Sequence, residues 1–166
     1  MSTNWIPVHD GDLRALALFK RHYSYRRRAK GQLRGSPTFI GQGEKMVLLT
    51  VQCDALFAWQ YSTVPRRDGQ AGVRCSIFRN ENPELYLSSD LIREAETLAW
   101  ARWPGQRLYT YVLEHKVQSD LGGACFLAAG WKYLRKGGHR LRSKAGALIL
   151  CKNPPPHASP VACLLY

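Results

Sequence analysis

The rhythm of apolar and polar positions changes several times along the 166 residues, and each rhythm predicts an element. Leu13, Leu16, Ala17 and Lys20 recur at helical spacing behind Asp10 and Asp12, either of which can cap. A helix is expected from about Leu13 to Tyr23, burying that stripe and only the stem of Lys20. Strand-like runs follow at 45–51, 55–61 and 73–78, the first two joined by a tight turn at Gln52, Cys53 and Asp54. The longer loop 65–72 separates the second from the third. Ser88 or Ser89 is placed to cap the next helix, whose buried stripe reads Leu91, Ala95, Leu98 and Ala99 and which Pro104 and Gly105 stop. A strand at 107–113, a short helix of small residues at about 122–129, and a strand pair around 131–133 and 147–150 complete the order. Gly130 before Trp131 suits the left-handed turn that ends a helix. This order predicts an α/β fold: a central mixed, mostly antiparallel sheet with helices on both faces. Residues 1–152 form a single domain carrying a basic loop at 24–37, and 153–166 read as a Pro-rich C-terminal extension.

Composition narrows the class. Hydrophobic residues are 45% of the chain, which is globular rather than disordered. No apolar run approaches the roughly 20 residues of a membrane span, and the N-terminus has no signal-peptide pattern. Cys53, Cys75, Cys125, Cys151 and Cys163 are odd in number, far apart and without a C-x-x-C pair, which argues for reduced thiols in a cytoplasm and against structural zinc; no metal is expected.

The net charge of +12 matters through its placement. Lys20, Arg21, Arg26, Arg27, Arg28, Lys30 and Arg34 occur with no acidic residue among them. After Asp120 there is no carboxylate side chain, while Lys132, Arg135, Lys136, Arg140, Arg142, Lys144 and Lys152 follow. Such segregation attracts polyanions. Tyr23, Tyr25 and Phe39 are interleaved with the first patch, so arginines can track phosphates while rings stack on bases. Arg21, Tyr25, Arg26, Arg27, Arg28, Lys30 and Arg34 are the nucleic-acid-binding candidates.

Several residues could carry chemistry. Arg79 ends an apolar strand and can hold a phosphate or carboxylate, or pair with Glu81 or Glu84. Ser88 and Ser89 open a helix, where one caps and the other can meet an anion. His22 is either a general base near neutral pH or a cation at a helix C-terminus. Tyr23 can stack on a flipped base, and Tyr111 lines either a cleft or the core. Lys116, Ser119 and Asp120 precede the Gly-rich helix and are further candidates.

Four local features carry a resemblance: Arg21-His22-Tyr23-Ser24, Phe78-Arg79-Asn80, Ser88-Ser89-Asp90-Leu91-Ile92, and Thr110-Tyr111 ahead of the Gly-rich helix. In that order, with Gly130-Trp131 behind, residues 10–151 resemble the GNAT (N-acetyltransferase-like) superfamily, and within it the phage Mom-like DNA-modification proteins. The resemblance implies a catalytic cleft between the strand ending at Phe78 and the strand at 107–113, and modification of a base in phage DNA. His22, Tyr23, Arg79, Ser88, Ser89 and Tyr111 would be its catalytic residues, with Arg79, Ser88, Ser89 and Asp90 holding the donor. Three departures stand out. The Gly-rich loop that cradles acetyl-CoA pyrophosphate is replaced by 80–89, without a glycine; Phe126 stands where a tyrosine acid is expected; and Leu113 stands where the Mom-like pattern has an aspartate. The donor, acetyl-CoA or another acyl carrier, is therefore left open.

The expected function is transfer of a small acyl- or amino-acid-derived group to a DNA base, the duplex partner flipping that base out, in the cytoplasm of a bacterial host. The alternatives are a catalytically inactive GNAT-like nucleic-acid-binding or inhibitor protein of a mobile element, and an acyltransferase for protein or small molecules. Charge reversal at Arg26, Arg27 and Arg28 should weaken DNA binding and flatten its salt dependence, by about 0.9 in the log–log slope for each phosphate no longer neutralised. Anisotropy titrations across salt concentrations read this directly, and an unchanged slope removes the loop from the interface.

Overall fold

The computed structural model describes residues 3–26, 38–117 and 121–156. A first strand, β1 (Trp5–Val8), pairs antiparallel with β2 (Glu44–Thr50) and precedes α1 (Leu13–Lys20). Strand β2 continues as an antiparallel meander into β3 (Ala55–Ser62) and β4 (Gly72–Asn80). Helix α2 (Ser88–Arg102) crosses over to β5 (Leu108–Val112), which lies parallel to β4. After α3 (Ala124–Ala128) come β6 (Lys132–Tyr133), a hairpin of β7 (Arg135–Lys136) and β8 (His139–Arg140), and β9 (Leu148–Lys152). The main sheet runs β1-β2-β3-β4-β5-β9-β6, and among the described residues β4 with β5 is its one parallel join. The fold is thus α/β with a mixed, mostly antiparallel sheet and few helices.

The strands and their order match the sequence reading closely, and the turn at Gln52, Cys53 and Asp54 is present. It is tied by Thr50 Oγ1, which accepts from the Asp54 and Ala55 amides at 3.1 and 2.9 Å and donates to Asp54 Oδ1 at 2.6 Å. Two strand elements were not foreseen. Strand β1 carries Pro7, which the free edge of a sheet tolerates. The β7–β8 hairpin is wholly polar, and Gly137 and Gly138, both at positive φ, supply its turn.

Both longer helices differ from expectation at their starts or faces. Asp12 caps α1, accepting from the Arg14 and Ala15 amides at 2.9 and 3.3 Å. The buried face is Ala15 and Leu18, while Leu13 is 76% exposed. Eight residues make barely two turns, so two stripes satisfy the helical spacing equally and only packing against Val47, Leu49, Leu56, Ala58 and Ile77 selects one. The helix also stops at Lys20, which leaves His22 and Tyr23 in the following turn. In α2 neither serine caps: Leu87 is the N-cap, without a side-chain bond. Ser88 Oγ instead accepts from Asn80 Nδ2 at 3.0 Å, and Ser89 is buried.

Tryptophan indoles seat α2. Trp5 and Trp59 donate to the Leu91 and Ala95 carbonyls at 2.9 and 3.0 Å, and Trp131 donates to the Glu96 carboxylate. Glu96 is only 3% exposed and is matched by Lys152 Nζ at 2.6 Å, which also donates to the Ala129 carbonyl at 2.7 Å. One carboxylate therefore joins α2, β9 and the end of α3. The four described cysteines, Cys53, Cys75, Cys125 and Cys151, are free, and among the described residues no helix is long and apolar enough to cross a membrane.

Removing the partner of a buried charge is costly. Lys152→Met should destabilise the protein by about 2–3 kcal/mol, less than a fully buried pair because the Lys152 side chain retains 25% exposure. Adding Glu96→Gln should recover most of that loss in urea unfolding; additive losses in the double variant would show that the two groups are not coupled.

Candidate functional site

Strands β4 and β5 share only three residue pairs, ending at Cys75 with Thr110. Beyond them both strands run on in the same direction without pairing to each other. Strand β4 carries an extra residue here: Ala58 faces Ile77 and Trp59 faces Cys75, leaving Ser76 as a bulge. A bulge bends and twists its strand, and the gap holds a cavity of about 380 Å³. The cavity lies between the two strands where the resemblance implied a cleft.

Backbone groups freed by the divergence need partners, and the turn after α1 supplies two. The His22 ring donates to the Phe78 carbonyl at the end of β4, and the Tyr23 hydroxyl accepts from the Leu113 amide just past β5. His22 and Tyr23 thus bridge the diverging strands. The rest of the wall is largely apolar, with Phe78, Val112, Val117 and Phe126, and with Ser88 at the start of α2.

A second cavity of about 710 Å³ adjoins the first, sharing His22, Tyr23, Cys75, Ser76 and Tyr111. Its other wall is cationic: Arg66 and Arg67 from the β3–β4 loop, Arg74 from β4, and Lys144 from the β8–β9 loop, with Asp68 among them. The Tyr111 hydroxyl donates to Asp68 Oδ2, and the Arg66 guanidinium lies 5.3 Å from the Tyr111 ring centre. Burial and the bond to Asp68 push the Tyr111 phenol well above its usual range. Burial alone would raise the Asp68 carboxyl, but the Tyr111 hydroxyl, the Gln70 amide and Arg66 together bring it below the usual value.

Arg74 is the least comfortable group here. Its Nη2 donates to Gln60 Oε1 at 2.7 Å, and its buried Nε has no hydrogen-bond partner. Burial and the nearby Arg66 both lower its pKa. An unsatisfied buried donor costs about 1–3 kcal/mol.

The residues expected to act together are only partly brought together. His22, Tyr23, Ser88 and Tyr111 line the first cavity. Arg79 does not: its Nε is 2.6 Å from Glu81 Oε1, and it lines a separate depression with Arg21, Tyr23 and Lys116. Arg21 binds the same Glu81 through Nε and Nη2 at 2.7 and 2.8 Å. Arg21, then Arg79, hold the Glu81 carboxyl down to about 2. The salt-bridge reading of Arg79 therefore holds, because a carboxylate lies two residues away. Ser89 is buried and Asp90 is exposed and paired with Arg93 at 2.7 Å, so neither lines the cavity that Ser88 lines. Tyr25 and Phe39 pack against Phe19 at 5.4 and 5.0 Å rather than presenting free stacking faces. Arg26 is exposed; Arg27, Arg28, Lys30, Arg34, Ser119 and Asp120 lie outside the described residues.

His22 is not a base poised near neutral pH. Its burial, and then the charge of Arg79, lower its pKa to about 4 against the opposing bond to Phe78. Its Nδ1 accepts from the Ser24 amide at 3.2 Å and lies 2.7 Å from Ser24 Oγ. Both ring nitrogens are committed to holding the turn in place. Sequence reasoning missed Arg66, Arg67, Asp68, Arg74 and Lys144. The run Arg66-Arg67-Asp68-Gly69 reads as a loop, but nothing local shows that it shares a cavity with Arg74 or that Arg74 is half-buried.

No family model, curated protein or solved structure matches the chain.

A histidine kept neutral in the fold binds its proton more readily when unfolded, so stability should fall as pH drops below about 6.5 and level off below about 4. Glu81 acts later, its contribution being lost only as pH falls from about 4.5 toward 2. Between pH 6.5 and 4.5 the His22 effect is about 2 kcal/mol. His22→Gln should flatten that limb in urea midpoints measured at pH 7, 6 and 5; an unaltered slope would assign it to another group.

Proposed function

We propose that the protein is a GNAT-like, Mom-like group-transfer enzyme that modifies a base of DNA in a bacterial cytoplasm. The observation that carries this reading is the pair of adjoining cavities, one apolar and one cationic, meeting at Tyr23 and Tyr111. The layering supports it too: Ala15 and Leu18 of α1 pack with Val47, Leu49, Leu56 and Ala58, whereas α2 and α3 pack with the alternate strand residues Leu48, Phe57 and Trp59. That division into two clusters supports a sheet with helices on both faces.

In this reading the donor's transferable group occupies the apolar cavity beside Ser88, and the target base lies between Tyr23 and Tyr111. The exocyclic nitrogen attacks the donor carbonyl, a C–N bond forms, and the leaving group departs with its electron pair. The proton shed by the nitrogen passes toward Asp68 through the Tyr111 hydroxyl, a route the short bond between them keeps aligned. His22 serves as a positioning residue. The basic loop holds the duplex backbone.

A silent nucleic-acid-binding protein is the second reading, and the engagement of both His22 ring nitrogens favours it. Mass spectrometry of nucleosides from DNA of expressing cells separates the two. A new modified nucleoside is expected, reduced at least about tenfold by Tyr111→Phe and by Asp68→Asn, since each breaks the proton route. Unmodified DNA together with salt-sensitive DNA binding would leave the silent protein standing.

A further inference from the structure

The cationic cavity has properties that the transfer step does not require. Arg66, Arg67, Arg74 and Lys144 converge on it from three separate parts of the chain. Among the described residues none of the four forms a salt bridge with a carboxylate, whereas Arg21, Arg79, Arg93, Arg102 and Arg142 each do. Asp68 is the one carboxylate among the described residues lining the cavity, and it takes the Tyr111 hydroxyl.

Arg74 sharpens the point. A half-buried guanidinium ordinarily finds a carboxylate, because burying a cation without one is unfavourable. Here the acceptor found is the neutral Gln60 side chain, and Nε–H has none. Arg66, which adds a like charge, lines both this cavity and the smaller one of about 340 Å³ that Arg74 shares with Gln60 and Tyr109. Four cations held around an open volume with one engaged carboxylate are complementary to an anion with several acceptor oxygens and more than one charge. In the depression at Arg79, by contrast, both arginines are paired with a carboxylate, Glu81.

We infer that this cavity is a phosphate-binding subsite, in which Arg74 and Lys144 take the phosphate oxygens, Arg66 and Arg67 close the mouth, and whatever planar group the phosphate carries lies against Tyr111. It deepens the proposed function, and rests on that reading only for the source of the phosphate: a phosphodiester of the DNA, or the pyrophosphate of a nucleotide-linked donor. The donor's phosphates then need neither the Gly-rich loop nor Arg79.

Inorganic pyrophosphate, titrated calorimetrically into the full chain, tests the subsite without reference to any reaction. Binding is expected to be salt-sensitive and to weaken at least about tenfold in Arg74→Met and in the double variant Arg66→Gln/Lys144→Gln. The double variant alters exposed side chains, so it keeps the test valid where Arg74→Met fails to fold. Arg102→Gln removes the same kind of charge from the far end of α2 and should leave affinity within about twofold. No binding by the wild type at millimolar pyrophosphate, or equal affinity in the double variant and Arg102→Gln, would overturn the proposal. A duplex oligonucleotide then identifies the source. Parallel loss of duplex binding in the double variant assigns the phosphate to DNA. Unchanged duplex binding with lost pyrophosphate binding supports the subsite, assigns it to a nucleotide-linked donor, and leaves DNA recognition to other residues.

Discussion

The sheet of this protein depends on one join, the parallel pairing of β4 and β5, and on how soon that pairing ends. Parallel neighbours require a crossover, and α2 provides it. The helix is fixed in place by indole donors from Trp5, Trp59 and Trp131 and by the buried Glu96–Lys152 pair. With α2 seated, the carboxyl ends of β4 and β5 lie at the same edge of the sheet. The bulge at Ser76 turns β4 away just after its last pair with β5. Open α/β sheets place ligands outside the carboxyl ends of their parallel strands, and here the strands part far enough to leave a cavity. Every candidate residue that matters reaches this edge: His22 and Tyr23 from the turn after α1, Ser88 from the start of α2, and Tyr111 from β5.

Polar groups around the edge fall into two kinds. Some are spent on architecture. His22 stays neutral and secures the Phe78 carbonyl, Glu81 pairs with both Arg21 and Arg79, and Asn80 holds both Ser88 and the Tyr86 carbonyl. Others are left with capacity to spare, and these are the cations around the second cavity. The distinction rests on partners rather than on residue type: Arg79 and Arg74 are two guanidiniums five residues apart on one strand, and only the first meets a carboxylate.

Much of the element order was legible because strands announce themselves through β-branched and aromatic runs, and because caps and glycines mark boundaries. The strands at 45–51, 55–61, 73–78 and 107–113 fall within a residue or two of β2 to β5. The face of α1 was not legible, since two turns of Leu and Ala admit two amphipathic stripes. Nor was the role of His22: its spacing reads as part of a helix, and only the early end of α1 at Lys20 turns its ring onto Phe78. Glu96 looks like any solvent-facing helical glutamate until Trp131 and Lys152 arrive from more than thirty residues away.

By itself, then, the sequence determined the succession of helices and strands and the separation of positive from negative charge. Those properties are set by local propensity and by composition, which act over a few residues or over the whole chain. The tertiary structure decided which charges are satisfied. An arginine finds or lacks a counter-ion according to what distant segments bring beside it: the β3–β4 loop brings Asp68 to the cavity, but that carboxylate takes the Tyr111 hydroxyl, and Arg74 bonds the neutral Gln60. Such pairing is a matter of distance in space, and no pattern along the chain encodes it.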